Sequence, residues 1–266
     1  MPSFLCTVLL PNMLSAADDS TAAALLLRID SANQSLCHDL VELAVVPDLG
    51  LGWHASADIP AGTELWSEKP FSRHRNRSAL VCLVDADIER HALFCHDASC
   101  ESLAEGLVKS NYFDLGALGA MLFLRTSFCN HSCCPNATVR VDISPFGACK
   151  ARVIVARDVT RGEQLCICYS NAACFQPNAA RQATLSSRWG FQCRCARCEG
   201  TLSLDEAKLW LTLEEAAVAA DAVKPRSKHV DPAVCDQQRH AAELVARHLP
   251  SLAEGERFAD DLAYLS

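Results

Sequence analysis

Hydrophobic and polar residues alternate in several short runs of this chain, and this pattern is typical of β-strands. Residues 41–46 (VELAVV), 137–143 (ATVRVDI) and 149–159 (CKARVIVARDV) each predict a strand. A Pro-Ala-Gly turn at 60–62 precedes a further short strand. An Arg-Gly turn separates 149–159 from residues 163–169 (EQLCICY), so we predict a hairpin between these two runs.

Other parts of the chain carry helix-compatible patterns. Residues 18–40 predict a helix that follows a polar start, and the mostly apolar residues 80–124 predict helices with two polar breaks. Residues 204–223 and 233–248 predict two more helices. Because strands and helices occupy different stretches of sequence, the pattern predicts an α+β fold.

The composition is that of a folded protein with an unusual number of cysteines. The chain has 266 residues, of which 50% are hydrophobic, 21% are charged and 16 are cysteine. No apolar run approaches the roughly 20 residues that a membrane-spanning helix needs, so we expect no membrane contact. A chain of this length is too long for a small disulfide-stapled scaffold, so the cysteines predict reduced thiols and a metal site.

The net charge of −8 narrows the classes of partner. Residues 201–266 contain 12 acidic and 7 basic side chains, so they carry most of that charge. Direct binding to nucleic acid depends on Lys and Arg displacing counterions from phosphates, and we therefore expect none. An acidic surface favours a basic partner, such as a protein tail rich in Lys and Arg.

The first segment with clear chemistry is Cys193-Arg-Cys195-Ala-Arg-Cys198. Three thiolates at this spacing can converge on one tetrahedral Zn²⁺, which needs a fourth ligand. The next cysteine toward the C-terminus is more than 30 residues away. The upstream candidates for the fourth ligand cluster in one short segment: Cys129, Cys133 and Cys134.

Two further segments combine polar and strand-like residues. Residues 130–136 (NHSCCPN) form either a turn held by its own hydrogen bonds or part of a site. Residues 162–169 (GEQLCICY) form a glycine turn and a strand that ends on Tyr169. Taken alone, a tyrosine at a strand end is most often an edge residue with its hydroxyl in water.

In this order, the three segments resemble the motifs of the SET-domain protein lysine methyltransferases. NHSCCPN matches the family pattern N-H-S-C-x-P-N, GEQLCICY matches G-E-x-L-x-x-x-Y, and FQCRCARC at 191–198 matches the post-SET pattern F-x-C-x-C-x-x-C. The first glycine turn and the segment Asn111-Tyr-Phe113 are similar to the SET-and-MYND branch. The resemblance covers residues 41–198, roughly three fifths of the chain.

The resemblance implies an architecture: a SET-domain β-fold with a pseudo-knot, a helical insert, a post-SET zinc loop and a short C-terminal helical segment. We expect four parts: a helical or loosely ordered segment at 1–40, the SET domain at 41–188 with its insert at about 73–128, the post-SET motif at 189–200, and an acidic helical segment at 201–266.

The resemblance also implies a site that binds S-adenosylmethionine. Tyr169 would be the catalytic residue at the narrow end of a lysine channel, with Trp189 beside it. Cofactor binding is expected of seven residues: Gly50, Gly52, Trp53, Asn111, Asn130, His131 and Phe191. One structural Zn²⁺ would be held by Cys133, Cys193, Cys195 and Cys198.

The implied function is a protein-lysine N-methyltransferase of the nucleus or cytoplasm, acting on histones in chromatin or on other proteins. Its partner would be a protein substrate with an exposed lysine in a basic tail. The alternative is a catalytically weak or inactive SET-fold interaction module. This alternative is motivated by Trp189, where the branch usually has a tyrosine, and by Leu51 within the glycine turn.

One departure from the branch concerns its MYND zinc finger, which we do not recognise in this sequence. The metal-binding residue types in the insert lack paired C-x-x-C spacing: Cys82, Cys95, His96 and Cys100. We expect them to be buried or free thiols and an ordinary histidine.

Overall fold

The computed structural model describes residues 7–8, 39–46, 49–91, 95–96, 99–144, 147–170 and 174–222. Side chains are described for all of these except 7–8, 89–90, 95–96 and 216–222. The helices predicted at 18–40 and 233–248 lie outside the described residues. Within the part that is described, no helix is both long and apolar enough to cross a membrane.

The described residues contain twelve short strands. They are β1 (Thr7–Val8), β2 (Val41–Val46), β3 (Gly50–Ala55), β4 (Glu64–Glu68), β5 (Ser72–His74), β6 (Cys95–His96), β7 (Phe113–Asp114), β8 (Ala120–Leu122), β9 (Asn130–His131), β10 (Ala137–Ile143), β11 (Cys149–Val155) and β12 (Cys166–Ile167). The pairings are β2 with β3, β10 with β11 and β4, β5 with β8 and β7, β9 with β12, and β1 with β6. All pairs are antiparallel except β9 and β12.

In the same part of the chain there are six α-helices: α1 (Arg77–Ala86), α2 (Ile88–His91), α3 (Leu103–Asn111), α4 (Asn178–Trp189), α5 (Ala196–Glu199) and α6 (Leu204–Ala222). The start of α6 is a capping box, because Ser203 Oγ accepts from the Glu206 N–H while the Glu206 carboxylate accepts from Ser203 N. The predicted helix at 204–223 is thus confirmed to within one residue.

The alternating runs explain the sheets on which the core is built. In β2, Val41 and Leu43 point inward and are buried, whereas Glu42 between them is exposed. Strands β2 and β10 begin and end where the pattern predicts, and β11 occupies most of its predicted run. Their inward residues join one large apolar core with Trp53 and Trp66, whose ring centroids are 5.2 Å apart.

The predicted hairpin between 149–159 and 163–169 is wrong. Strand β11 pairs with β10 on one side and β4 on the other, so both of its edges are already occupied. The Arg161-Gly162 turn instead packs on the end of β3, where the Gly162 N–H donates to the Ala55 carbonyl at 2.7 Å. Local patterning predicts that a strand exists, but not which strand it pairs with.

Among the described residues of the region 80–124, the helices α1, α2 and α3 cover 80–86, 88–91 and 103–111, with β6 between α2 and α3. After α3 the chain forms β7 and β8 instead of the expected helix. The turn between them needs glycine, because Gly119 has φ +93° and a Cβ there would lie 2.2 Å from the His74 carbonyl oxygen. Short apolar runs such as 120–122 are compatible with either structure, and here a close backbone approach selects the strand.

The parallel pair β9 and β12 brings the two central motifs side by side. Asn130 is in register with Cys166, and His131 with Ile167. The Ser132 N–H continues the ladder by donating to the Ile167 carbonyl at 3.0 Å. The segment after β12 therefore leaves the sheet next to the segment after β9.

The C-terminal helix α6 packs onto the cysteine-rich part of the chain. Trp210 and Leu213 from α6 form a small buried cluster with Cys174 and Phe175. A second small cluster joins Leu185 of α4 to Cys133 and Cys193. These two clusters lie apart from the main core and connect α4, α6 and the post-SET motif.

Candidate active site and metal centre

Tyr169 lies directly after β12, and two hydrogen bonds fix its position. Its N–H donates to His131 Nδ1 at 3.1 Å, and its phenol donates to the Cys129 carbonyl at 3.0 Å. Both partners belong to the segment around β9. The parallel pairing of β9 and β12 therefore determines where the phenol of Tyr169 lies.

Three other rings surround Tyr169 and form an aromatic cluster. Its ring centroid is 5.2 Å from that of His131, 5.5 Å from Trp189 and 6.3 Å from Phe191. The four rings are all half-buried. Gly190 separates Trp189 from Phe191 in the left-handed conformation at φ +76°, which ends α4 and turns Phe191 toward Tyr169.

Both ring nitrogens of His131 are used within the protein. Because Nδ1 accepts from Tyr169, we assign the proton to Nε2, which donates to Cys133 Sγ at 3.3 Å. Burial lowers the pKa of His131 to about 4, so the ring is neutral at pH 7 and can hold this tautomer. His131 thus links the Tyr169 backbone to a predicted metal ligand.

The structure brings the four predicted ligand sulfurs together. The Sγ atoms of Cys133, Cys193, Cys195 and Cys198 all lie within 4.8 Å of one another. Tetrahedral Zn²⁺ with Zn–S bonds of about 2.3 Å requires sulfurs about 3.8 Å apart, so a modest contraction would complete the site. The four residues therefore fit a structural zinc ion, and zinc binding stays a prediction.

The protonation of the cluster also suits a metal. The pKa of Cys195 is lowered far below that of a free thiol because Cys133 and the other neighbouring thiols donate hydrogen bonds to its sulfur. The pKa of Cys133 is raised, first by its side-chain hydrogen bond to Cys193 and then by those to Cys195 and Cys198, because the thiol that donates keeps its proton. A site that already stabilises a thiolate needs to release fewer protons when it binds a cation.

The other two candidates for the fourth ligand, Cys129 and Cys134, are not part of this cluster of four cysteines. Cys129 is buried beneath the site, where burial raises the pKa of its thiol. Cys134 lies at the edge of the group and contacts Cys195. None of the twelve cysteines whose side chains are described forms a disulfide, and these include Cys82 and Cys100 of the insert.

Residues 190–195, which we call the post-SET loop, are bound to α4 by Gln182, a residue for which the sequence predicted no role. The Gln182 amide accepts from the Cys193 N–H at 2.9 Å and donates to the Cys193 carbonyl at 2.8 Å. This two-point contact holds the loop between Trp189 and the metal ligands. Glutamine on a helix carries no signal for such a role, because the contact depends on tertiary packing.

The glycine turn predicted to face the cofactor is closely packed. A Cβ on Gly52 would lie 2.6 Å from Gln164 Nε2 and 2.7 Å from Asn130 Nδ2, so a larger residue would have to displace these two side chains. Asn130 Nδ2 donates to the Leu51 carbonyl at 3.2 Å. Gln164 Nε2 is buried and has no hydrogen-bond partner among the described residues. It is a polar donor beside the predicted cofactor site that sequence reasoning missed.

The other residues predicted to bind the cofactor differ in which of their atoms are available for a contact. Gly50 has φ +83°, a left-handed conformation that glycine adopts without strain. The Trp53 side chain lies in the core and donates to the Arg125 carbonyl at 2.9 Å, so only its backbone is available. The Asn111 side chain donates to Leu107 of its own helix at 2.7 Å.

Side chains join the end of the segment 130–136 to the start of the segment 162–169. Asn136 Nδ2 donates to Glu163 Oε1 at 2.9 Å and to the Gln164 carbonyl at 2.8 Å, and Asn136 Oδ1 accepts from Cys166 N at 2.8 Å. Glu163 also accepts hydrogen bonds from Arg157 and from the backbone of its own turn. Asn136 therefore ties the segment that follows β9 to the residues at the start of β12, whereas Tyr169 follows the other end of that strand.

Comparison with known proteins identifies the domain. Residues 50–170 match the model of the SET domain. The chain is 31% identical over 189 residues to the Arabidopsis thaliana protein named histone-lysine N-methyltransferase ATXR4, an alignment that covers 65% of this chain and 53% of the relative. It is 26% identical over 181 residues to histone-lysine N-methyltransferase set5 of Schizosaccharomyces pombe, with 64% and 53% covered.

A third relative bears on the branch of the family. The chain is 34% identical over 117 residues to protein-lysine N-methyltransferase SMYD4 of Mus musculus, which covers 44% of this chain and 13% of the relative. The chain thus spans about half or less of the length of these curated relatives. Residues 50–170 of the chain are thus a SET domain, and the chain is similar to proteins named as lysine methyltransferases.

Proposed function

We propose that this protein transfers a methyl group from S-adenosylmethionine to the ε-amine of a lysine in a protein substrate. The observation that carries the proposal is the position of Tyr169, whose phenol is fixed beside Trp189 and Phe191 by its bond to the Cys129 carbonyl. A phenol that donates its proton to a carbonyl presents oxygen lone pairs toward an amine.

The glycine turn and the aromatic cluster fit the cofactor. S-adenosylmethionine, when bound, supplies a methyl group on a sulfonium. The buried, unpaired Gln164 Nε2 beside Gly52 and Asn130 is a donor suited to the carboxylate of the methionine part. Phe191, half-buried beside His131 at 5.8 Å, offers a flat ring for the adenine.

The substrate lysine must lose a proton before it can react. With a pKa near 10.4, deprotonation at pH 7 costs about 4.6 kcal/mol. The rings of Tyr169, Trp189 and Phe191 provide an apolar wall that disfavours the ammonium form and excludes water. Tyr169 would then orient the neutral amine by accepting one of its N–H groups.

The four-cysteine site would hold one structural Zn²⁺ rather than take part in the chemistry. Its sulfurs come from the segment after β9 and from the loop that follows Phe191. Zinc would therefore pin that loop, and with it Phe191, against His131 and Tyr169. Loss of the metal would free one wall of the proposed site.

A protein substrate with a lysine in a basic tail fits the acidic charge of the chain, and the names of two relatives point to histones among the candidates. We place the protein in the nucleus or cytoplasm, where its free thiols would stay reduced. Direct binding to nucleic acid is not part of this proposal.

Radiolabelled methyl transfer tests the proposal directly. Zinc-loaded protein is incubated with labelled S-adenosylmethionine and either core histones or cell-extract proteins, and products are analysed by mass spectrometry. We expect label on lysine side chains. Calorimetry on the same sample measures cofactor binding. If the cofactor does not bind and no protein is labelled, the SET-fold interaction module becomes the better description.

A further inference from the structure

Two arginines are buried next to the four-cysteine site. The side chain of Arg181, from α4, is 2% exposed, and that of Arg197, from α5, is 4% exposed. Arg197 Nη1 donates to the carbonyls of Cys133 and Cys174 at 2.7 Å each. Arg181 Nη2 contacts Cys198 Sγ at 3.8 Å. Two of the four predicted ligand residues are thus touched by a buried guanidinium.

One carboxylate oxygen holds both arginines. Oε1 of Glu214, on α6, accepts from Arg181 Nη1 and from Arg197 Nη2, each at 2.6 Å. The Nε–H groups of both arginines are buried without an acceptor among the described residues. The guanidinium of Arg197 also stacks on Trp210 of the same helix, 4.0 Å from the ring centroid.

We propose that Glu214 is a positioning residue that holds Arg181 and Arg197 against the four-cysteine site and so fixes the post-SET loop in place. The inference rests on the proposed zinc site and assigns a role to α6 that no sequence motif indicates. According to this inference, α6 supports the proposed metal site through Glu214.

Charge explains why the position of Glu214 matters. Four thiolates around Zn²⁺ carry a net charge of −2, which the two guanidinium groups offset at close range. These cations share one oxygen, so they repel each other once that oxygen no longer carries negative charge. The two guanidinium groups would then move apart. This would weaken the contact of Arg181 with Cys198 Sγ or the hydrogen bonds of Arg197 to the Cys133 and Cys174 carbonyls.

Replacing Glu214 by glutamine removes the charge and keeps the size. The matched control is Glu215→Gln, which removes the same charge from the exposed neighbouring position of α6. Zinc affinity is measured by competition with a chromophoric chelator. The site is then loaded with Co²⁺, and its thiolate-to-cobalt charge-transfer band is recorded. Groups that contact metal ligands usually change affinity by about 10- to 100-fold when they are altered.

We expect Glu214→Gln to weaken zinc binding at least about tenfold, with Glu215→Gln like the wild type. The cobalt band of Glu214→Gln should move to lower energy, because a thiolate that loses an N–H donor gives up an electron more easily. A purely structural ion pair would lower the melting temperature of the zinc-loaded and zinc-free forms equally and leave affinity and spectrum unchanged. That result would overturn the inference.

Should Glu214→Gln fail to fold, Arg181→Lys provides the same test. Lysine keeps the charge but cannot reach Glu214 and Cys198 together, so the same loss of affinity and band shift are expected. An unchanged Arg181→Lys site would contradict the inference. If the wild-type protein binds no zinc, both this inference and the proposed zinc site are wrong. If it binds zinc but Glu214→Gln changes neither the zinc affinity nor the cobalt band, only this inference is wrong.

Discussion

At the scale of single residues, the Tyr169 phenol does two things at once. It satisfies the Cys129 carbonyl, and it faces Trp189 and Phe191. Tyr169→Phe keeps the ring and removes both the donor and the oxygen. We therefore expect methyl transfer to fall about 100-fold or more, while the dissociation constant of S-adenosylmethionine changes only a few-fold.

Turnover and calorimetric cofactor affinity, measured on the same preparation, check this prediction. The unpaired Cys129 carbonyl should also cost about 1 kcal/mol of unfolding free energy, so the assay temperature must stay well below the melting transition. Equal losses in turnover and cofactor affinity would show that Tyr169 acts through binding and not through the transfer step.

Gly52 illustrates a residue whose importance lies in the absence of a side chain. In Gly52→Ala the new Cβ would overlap Gln164 Nε2 and Asn130 Nδ2, both of which border the proposed cofactor site. Overpacking of this kind costs about 1–3 kcal/mol of stability, and we expect cofactor affinity to fall at least about tenfold. Isothermal calorimetry measures the affinity and chemical denaturation the stability.

Gly62→Ala is the matched control for this change. Gly62 has φ +83° and no atom within 4 Å of a Cβ, so alanine there strains the backbone without touching the site. It should lose stability and keep its cofactor affinity. Similar affinity losses in both variants would mean that the glycine turn does not face the cofactor.

At the scale of elements, the pairing of β9 with β12 depends on Glu163 and Asn136. Burial opposes ionisation of Glu163, but hydrogen bonds from Arg157 and Asn136 prevail and lower its pKa. A carboxylate whose pKa is lowered on folding stabilises the protein above its unfolded value of 4.5, and this stabilisation is lost as pH falls through the folded pKa.

Glu163→Gln should therefore lower the unfolding free energy at pH 7 by about 1 kcal/mol, a modest value because Arg157 is half-exposed. The difference from wild type should shrink as the pH falls below 4.5. Urea denaturation between pH 7 and pH 3 measures it, with Glu42→Gln on the exposed face of β2 as control. A difference that stays constant across this range would contradict an ionised Glu163.

The sequence predicted those elements and contacts that depend on local chemistry. Strand β2 follows from alternation, and the cysteine spacing in 193–198 indicated a metal site because three ligands lie within six residues. The wrong hairpin at 149–169 and the missed roles of Gln182 and Glu214 have a common cause. Strand partners and helix docking are set by long-range packing, which one sequence does not encode in any local pattern.

At the scale of the whole molecule, the distribution of apolar residues divides the described chain unequally. The main core contains Trp53, Trp66 and the inward residues of β2, β3, β4 and β11. The clusters around α4, α6 and the post-SET loop are much smaller. Small clusters rarely suffice to hold helices in place, so we propose that metal ligation supplies the missing stability there.

Removal of zinc should therefore loosen one part of the molecule selectively. With a chelator present, amide hydrogen exchange should become at least about tenfold faster at residues 191–222. Protection of the amides in β10, β11 and β4 should persist, because the core of these strands does not include the metal ligands. The measurement is exchange followed by mass spectrometry, with zinc added back to show reversal. If protection were lost uniformly, zinc would maintain the entire fold. If exchange at 191–222 did not change, the packing of Trp210 of α6 on Phe175 and Arg197 would hold the loop without the metal.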